Sequence, residues 1–508
     1  MPPKIPRKEP NAVKTARIGR KTTPPREVTI PAFPSKSEAH RLLIAAALSD
    51  RETGILCSRQ NADMLATADC LSRMGAGITR TADGFCVTPI PEHPESDSAP
   101  GTGRADVFAD GKNENKEQKT AAPDRSEHPD SGRGAEGIGE TTTAAMNAGL
   151  PQNGTAPASE TYPLKLDVGE SGSTLRFLLP VLPALGIDAE ITMHGRLPER
   201  PLAPLDRVLR DRGITPERRA DTLTIRGTLP AGNYEIDGGV SSQFVSGLLF
   251  ALPLADGDST LRVTGHTESV PYIRLTLDAL RRFSVNVREE EGGTLFRIPG
   301  NRPYRSPGNA VIPVGGDWSG AAFYLAAGAV GNTPVTVTGL DTESAQGDRA
   351  ILPLLRKMGA RCEVSGDRIT VFPSRLCALE TDASDIPDLV PVLAVLGACA
   401  DGITVLRGVG RLRIKESDRL AAVRELLGTL GVTVQISGDS ETLTVTGNRG
   451  GITGGTVSSF GDHRIAMSAA VAALAANSPV TVTDAGAVEK SAPDFFEQMK
   501  RFAEVEYV

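Results

Sequence analysis

Lysine and arginine recur in this sequence at one kind of place, the polar opening of an apolar segment rich in Ala and Leu. Ser35-Lys36-Ser37 opens one such segment, with Arg41 one turn later. Gly169-Glu170-Ser171-Gly172-Ser173 opens another, with Arg176 behind it. Ser241-Ser242-Gln243 opens a third and Asp462-His463-Arg464 a further one. A helix N-terminus offers unpaired N–H groups and partial positive charge, so it suits an anion. Loops between strands and helices add Arg196 and Arg200, Lys415 and Arg419, and Lys490. If these loops face one cleft, it suits a substrate pair carrying phosphate and carboxylate groups. Taken singly, Ser and Gly at helix starts are ordinary caps. Arg419 after Glu416 and Asp418 also reads as a surface pair at i,i+3 spacing. Cations opening fully apolar helices are harder to treat that way, because buried charge is costly unless paired.

Two carboxylates stand out as acid–base candidates. Asp388 lies in DIPDLVPVLAVL, at the start of an otherwise apolar helix, and Glu416 lies in RLRIKESDRL. Each reads as a helix cap or as a proton-transfer group among substrate anions. No Ser-His-Asp pattern or Walker loop emerges, and GxGxxG-like fragments do not join a strand to a helix.

The elements that position these residues repeat. A polar turn opens a buried helix; a β-branched strand, a loop, an amphipathic helix and two short strands follow. The buried helices open at Ser35, Gly169, Gly239, Gly315, Ser384 and Gly461, with spacings of 134, 70, 76, 69 and 77 residues. They are apolar nearly all round, which implies burial on every side. The second helices are half-apolar; Leu420, Val423, Leu426 and Leu427 make one stripe. The long first spacing contains residues 91–160, rich in Gly, Ser, Pro and charge, expected to be a disordered surface insertion.

Six βαβ-type units predict an α/β protein of two lobes. Residues 35–312, with the insertion, form the lobe of units one to three, and 313–508 the lobe of units four to six. Residues 1–34 supply an N-terminal strand, near Val28 to Ile30, to the second lobe. The basic, Pro-rich stretch Met1 to Arg26 is read as a short disordered lead. Two lobes joined by two crossings can close on a ligand.

Composition bounds the function. The chain has 508 residues and a formal net charge of −7, so no global basic field points to nucleic acid. Six scattered cysteines without a CxxC pair, and six histidines, speak against a zinc site and for reduced thiols in a cytosol. No stretch is long and apolar enough for a membrane span, and the N-terminus lacks a secretory h-region.

The motifs PSKSEAHR, GESGSTLRF, LPERPL, SSQFVSGLL, SVPYI, DIPD, RIKESDRL, GDHRIAM and KSAPDFF, in this order, resemble the EPSP synthase family of enolpyruvyl transferases. The resemblance covers the chain except its first residues and the insertion. It implies a pair of inside-out α/β barrels of three repeats each. It also implies transfer of the enolpyruvyl group of phosphoenolpyruvate to the 5-hydroxyl of shikimate 3-phosphate, with no metal or organic cofactor. The shikimate 3-phosphate site it implies is Lys36, Ser37, Arg41, Ser241, Ser242, Gln243, Ser269, Tyr272, Asp388 and Lys415. The phosphoenolpyruvate site it implies is Lys36, Gly172, Arg196, Gln243, Arg419, Arg464 and Lys490. Asp388 would take the hydroxyl proton, with Glu416 and Lys36 as candidates at the methylene. In the family this pocket also binds the herbicide glyphosate, and Gly172 leaves it room. Glu170 departs from the family's usual Asn, and Ser171 from its usual Ala; Glu170 is expected to pair with a nearby Arg. A cytoplasmic monomer is expected.

Two other readings are separable. The sister enzyme acting on a UDP-amino sugar would carry Lys-Asn where this chain has Lys36-Ser37, and a reactive Cys near unit two, which this chain lacks. A non-catalytic anion-binding protein or repeat scaffold would not need Lys36, Asp388, Glu416 and Lys490 together.

Overall fold

Among the described residues, short Val- and Thr-rich runs pair into six four-stranded sheets, and every sheet has the same internal plan. In one, Leu164–Asp167 runs parallel to Ala189–Thr192. Ala189–Thr192 pairs antiparallel with Thr222–Arg226, which pairs antiparallel with Thr215–Arg219. A parallel pair needs a crossover, and here the buried helix Gly172–Ala184 supplies it. The structure, a computed structural model, describes residues 15–91, 163–301, 304–308, 311–448 and 451–508. Apart from Pro91, the expected insertion 91–160 lies outside the described residues.

Three sheets are completed by strands from elsewhere in the chain. Val28–Pro31 runs parallel to Val335–Thr338. Ala16–Arg20 pairs antiparallel with both Val480–Thr483 and Ala503–Tyr507. Val311–Pro313 runs parallel to Thr53–Leu56. Of the expected disordered lead Met1 to Arg26, residues 1–14 lie outside the described residues; the strand Ala16–Arg20 corrects that reading at its own residues. Its Ala16 and Ile18 are fully buried, and the alternation ARIGR supplied a strand signal too short to stand out beside the surrounding Lys, Arg and Pro.

Apolar side chains gather into two cores. One runs from Phe33 to Ile312. The other joins Ala16–Ile30 to residues from Trp318 to Ala503. Each encloses three buried helices: Lys36–Ala47, Gly172–Ala184 and Ser242–Ala251 in the first; Trp318–Val330, Val390–Ala398 and His463–Ala473 in the second. The half-apolar second helices and the sheets lie outside them, as in a pair of inside-out α/β barrels. The stripe Leu420, Val423, Leu426 and Leu427 is buried as expected.

Five of the six buried helices carry a side-chain N-cap. Ser35, Ser171, Ser241, Asp317 and Asp462 each accept a backbone N–H from the first turn, which replaces a bond the helix cannot make itself. The sixth, Val390–Ala398, has Leu389 at that position and no such bond. Asp388, just ahead of it, is therefore free for another task.

Candidate active site

Helix starts from both cores open on one cleft. Eight Lys and Arg line it (Lys36, Arg41, Arg176, Arg200, Arg411, Lys415, Arg419 and Arg464) against four carboxylates (Asp63, Asp317, Asp388 and Glu416). A net negative chain thus concentrates positive charge at one place, as an anion site requires.

The first core contributes three helix openings. Ser35 caps Lys36–Ala47, so Lys36 and Ser37 lie in its first turn. Lys36 Nζ stands 3.1 Å from Asp63 Oδ2. Arg41 is buried and three of its five N–H groups are engaged: Nε donates to Thr276 Oγ1 at 2.8 Å, Nη1 to the Ser37 carbonyl at 2.7 Å, and Nη2 to the Tyr272 carbonyl at 2.8 Å. Burial pulls its guanidinium down to about 10. Gly172 begins the second helix and Arg176 follows one turn later. Arg176 Nη1 donates to Gln243 Oε1 at 3.1 Å, while its Nε has no hydrogen-bond partner. Burial and the neighbouring Arg200 hold Arg176 well below its ordinary value; an arriving anion relieves both penalties. Ser241, Ser242 and Gln243 open the third helix, with Ser241 as its cap.

Ser269 precedes the helix Val270–Arg282 with a left-handed backbone, φ 55°. It makes no cap bond; instead its hydroxyl accepts from Arg411 Nη2 at 2.6 Å. Arg411 also faces Glu268 Oε2 at 3.0 Å, which ties the two halves of the molecule together. Tyr272, one turn into that helix, points its phenol at Asp388.

The second core contributes a buried ion network. Arg419 is fully buried among three carboxylates: Asp462 Oδ2 at 2.8 Å, Asp388 Oδ1 at 2.7 Å and Glu416 Oε2 at 2.8 Å. The i,i+3 pair with Glu416 exists, but in the interior rather than on the surface. Arg464 Nη2 reaches Asp388 Oδ2 at 2.9 Å. Burial alone would raise the Asp388 carboxyl; Arg464, Lys415 and Arg419 outweigh it and hold it well below the usual range. Glu416 is likewise held low against burial, by Arg419, Arg200 and Lys490. Lys415 is pushed down to about 8 by burial and by Arg411 and Arg419, with Asp388 opposing.

The cleft brings together Lys36, Ser37, Arg41, Gly172, Ser241, Ser242, Gln243, Ser269, Tyr272, Asp388, Lys415, Glu416, Arg419 and Arg464. Two residues of the expected set stand apart. Arg196 is a correction: it lies outside the lining, 46% exposed, paired with Glu199. The turn Leu197–Glu199 separates it from Arg200, which faces inward with only 12% exposure and stands 3.7 Å from Glu416 Oε1. Two arginines four residues apart in one loop offer no sequence signal for which one faces inward. Lys490 is not part of the lining; its Nζ binds Glu170 Oε2 at 3.0 Å. Glu170 therefore pairs with this Lys and not with an Arg. Glu416, Asp63 and Glu170 outweigh burial and hold the Lys490 ammonium above its ordinary value, so its charge is felt at the cleft from just behind it.

Arg176, Arg200 and His463, expected at the helix and loop openings but given no role, line the cleft, and so do Arg411 and Asp63, which were not expected. Arg176 had a usable signal, since it follows Gly172 at the four-residue spacing that joins Arg41 to Ser37. Arg411 had none: in RLR it alternates with Arg413, which turns outward to Asp418.

Comparison with known proteins identifies the family. Residues 137–499 match the family model for EPSP synthase (3-phosphoshikimate 1-carboxyvinyltransferase). The chain is 40% identical over 339 residues to the 3-phosphoshikimate 1-carboxyvinyltransferase of Brachyspira hyodysenteriae, covering 66% of this chain and 79% of that protein. It is 32% identical over 478 residues to that of Clostridium acetobutylicum, with 94% of both covered. A solved EPSP synthase from Acinetobacter baumannii superposes with a TM-score of 0.68 at 22% identity, over 97% of this chain and 100% of that one. With its fold, cleft and near-complete coverage in agreement, the chain belongs to the EPSP synthase family of 3-phosphoshikimate 1-carboxyvinyltransferases.

Proposed function

We propose that this cleft binds shikimate 3-phosphate and phosphoenolpyruvate side by side and joins them, releasing phosphate and forming 5-enolpyruvylshikimate 3-phosphate. The observation that carries the reading is the convergence of eight cations from both cores around Asp388. Ser241, Ser242, Ser269 and Lys415 suit the ring phosphate, with Ser37, Arg41, Gln243 and Tyr272 around the ring. Lys36, Gly172, Arg419, Arg464 and Lys490 suit phosphoenolpyruvate, and Arg200 takes the place given to Arg196. The reaction class is enolpyruvyl transfer in aromatic amino acid and chorismate biosynthesis.

The chemistry follows from the charges. Protonating the enol methylene makes the adjacent carbon cationic; the 5-hydroxyl adds to it, giving a tetrahedral ketal phosphate. Loss of phosphate and a methyl proton restores the double bond. Asp388 accepts the hydroxyl proton. Glu416, held ionised by Arg419 and Arg200, enters as an acceptor and suits recovery of the methyl proton. That leaves the Lys36 ammonium to deliver the first one. Preorganised guanidinium groups hold the shifting carboxylate and phosphate charge. Among the described residues no helix is long and apolar enough to cross a membrane; the proposal places the enzyme in the cytoplasm as a monomer.

The test is phosphate release from purified protein given both substrates, with Asp388→Ala and Lys36→Met alongside. Release that needs both substrates and falls at least ~100-fold in each variant supports the reading. Release with a UDP-amino sugar instead, or silence with either acceptor, overturns it.

A further inference from the structure

One buried carboxyl beside the cleft has no task in this scheme. Asp348 sits in the turn Gly347–Ala350, 1% exposed, and its Oδ1 has no hydrogen-bond partner among the described residues. Its Oδ2 accepts from the Ser319 hydroxyl and lies 3.5 Å from the Tyr272 phenol. The same phenol lies 3.3 Å from Asp388 Oδ2. Tyr272 thus bridges two carboxyls. A phenol has one proton to give and lone pairs to receive another, so it satisfies both neighbours only when one of them carries a proton.

The surroundings decide which one. Asp388 touches Arg419 and Arg464. Asp348 makes no ion pair among the described residues. The groups facing it are Tyr272 from Val270–Arg282, Asp317 and Ser319 at the start of Trp318–Val330, Asp388, and Arg464 from His463–Ala473. The helix Ile351–Lys357 that follows it keeps its charges, Arg356 and Lys357, in its last turn. Burial, then Asp388, pushes Asp348 up to about 7, with Arg464 opposing. Asp388 is held well below its usual range. A proton set down on Asp388 therefore runs downhill toward Asp348.

We propose that Asp348 is the terminal proton acceptor behind Asp388, reached through the Tyr272 hydroxyl. Asp388 takes the proton of the substrate hydroxyl and passes it to the phenol oxygen, while the phenol's own proton passes to Asp348. Counting the substrate hydroxyl, three O–H bonds break and three form; Asp388 regains its charge and Asp348 becomes neutral. The proton returns by the same path when the cleft opens to solvent. Asp348 touches no substrate and acts through Tyr272, and the inference rests on Asp388 being the base of the proposed transfer. Below its own pKa Asp348 is already filled, so turnover rises with pH through about 7.

Transferase activity is measured from about pH 5.5 to 9 for the unaltered enzyme, Asp348→Asn and Tyr272→Phe. In the unaltered enzyme kcat rises with a midpoint near 7. Both variants lose that step, and their kcat near pH 8 falls ~10- to 100-fold, while KM for phosphoenolpyruvate in Asp348→Asn stays within about twofold. An Asp348→Asn enzyme that keeps the step, or loses only KM, overturns the proposal. Carbon NMR of the unaltered protein with labelled aspartate carboxyls covers a variant that does not fold. An aspartate titrating near 7, whose midpoint moves in Tyr272→Phe, supports the relay; none titrating above about 5.5 overturns it. That titration needs no turnover, so an unaltered enzyme that releases no phosphate counts against the function and is read separately.

Discussion

Gly172 shows how little slack the cleft allows at the scale of one residue. A Cβ built there would lie 2.5 Å from Arg176 Nη1 and 2.8 Å from Arg200 Nη1. Both guanidinium groups would have to retreat from the place where the enolpyruvate charge is proposed to sit. Gly172→Ala is therefore expected to raise KM for phosphoenolpyruvate by ~10-fold or more, since misplacement of about an ångström is felt strongly in catalysis. KM for shikimate 3-phosphate should move less than about threefold, and steady-state kinetics with each substrate varied separately checks the split. Equal loss for both substrates would place the two guanidinium groups elsewhere in the scheme. The need for Gly followed from the family resemblance that GESGSTLRF carries; the identity of its two neighbours did not, because Arg200 reaches it only through the folded turn Leu197–Glu199.

The buried helices set that tolerance. Gly172–Ala184 and Ser242–Ala251 approach closely at Gly247, where a Cβ would lie 2.4 Å from the Arg176 backbone carbonyl. Two effects oppose each other in Gly247→Ala. Helix propensity favours Ala by about 1 kcal/mol, while a methyl group forced against backbone costs ~1–3 kcal/mol. Backbone in a packed helix cannot swing aside as a flexible side chain can, so the clash wins. Urea unfolding should show a net loss of ~1–2 kcal/mol. Arg176 should shift with its carbonyl and raise KM for phosphoenolpyruvate. A stabilised variant with unchanged kinetics would mean that the helices separate freely. The caps at Ser35, Ser171, Ser241 and Asp462 were readable because each is a Ser or Asp before an apolar run. Asp388 was readable from the residues only as a choice between cap and proton-transfer group, until Leu389 is found in the cap position.

For the whole molecule, two buried histidines link folding to pH. His40 and His463 are held neutral, each pushed down from 6.5 to about 3 by burial first; Asp63 offsets this for His40 and Asp462 for His463. An unfolded chain binds those protons near pH 6.5. Between about 6.5 and 3 the unfolded state therefore holds more protons, and stability falls as pH drops through that window. Asp388, Glu416 and Asp462, all held low in the folded state, contribute stability above the ordinary carboxylate range. They lose it as pH falls below about 4. Asp348 opposes the histidines by one proton, since burial raises it to about 7 in the folded state while an unfolded aspartate titrates near about 4. Thermal melts should therefore rise slightly as pH falls from about 8 to 7, decline from near 6.5 as the two histidines outweigh it, and steepen below about 4. A decline that begins only near 4 would show that these imidazoles take up protons in the folded protein.

The sequence by itself determined the six-fold repeat, the helices that had to be buried, and most of the cations that open them. Those features depend on local period, capping chemistry and composition, which the chain carries residue by residue. Tertiary structure alone decided three others. Ala16–Arg20 completes a sheet more than four hundred residues away, and a five-residue strand does not encode its partner. Arg200, not Arg196, turns inward, because a loop's two faces become distinct only against the helices beneath it. Arg419 lies buried among Asp388, Glu416 and Asp462 instead of on a surface. A charge enters the interior only where long-range folding has already assembled its partners.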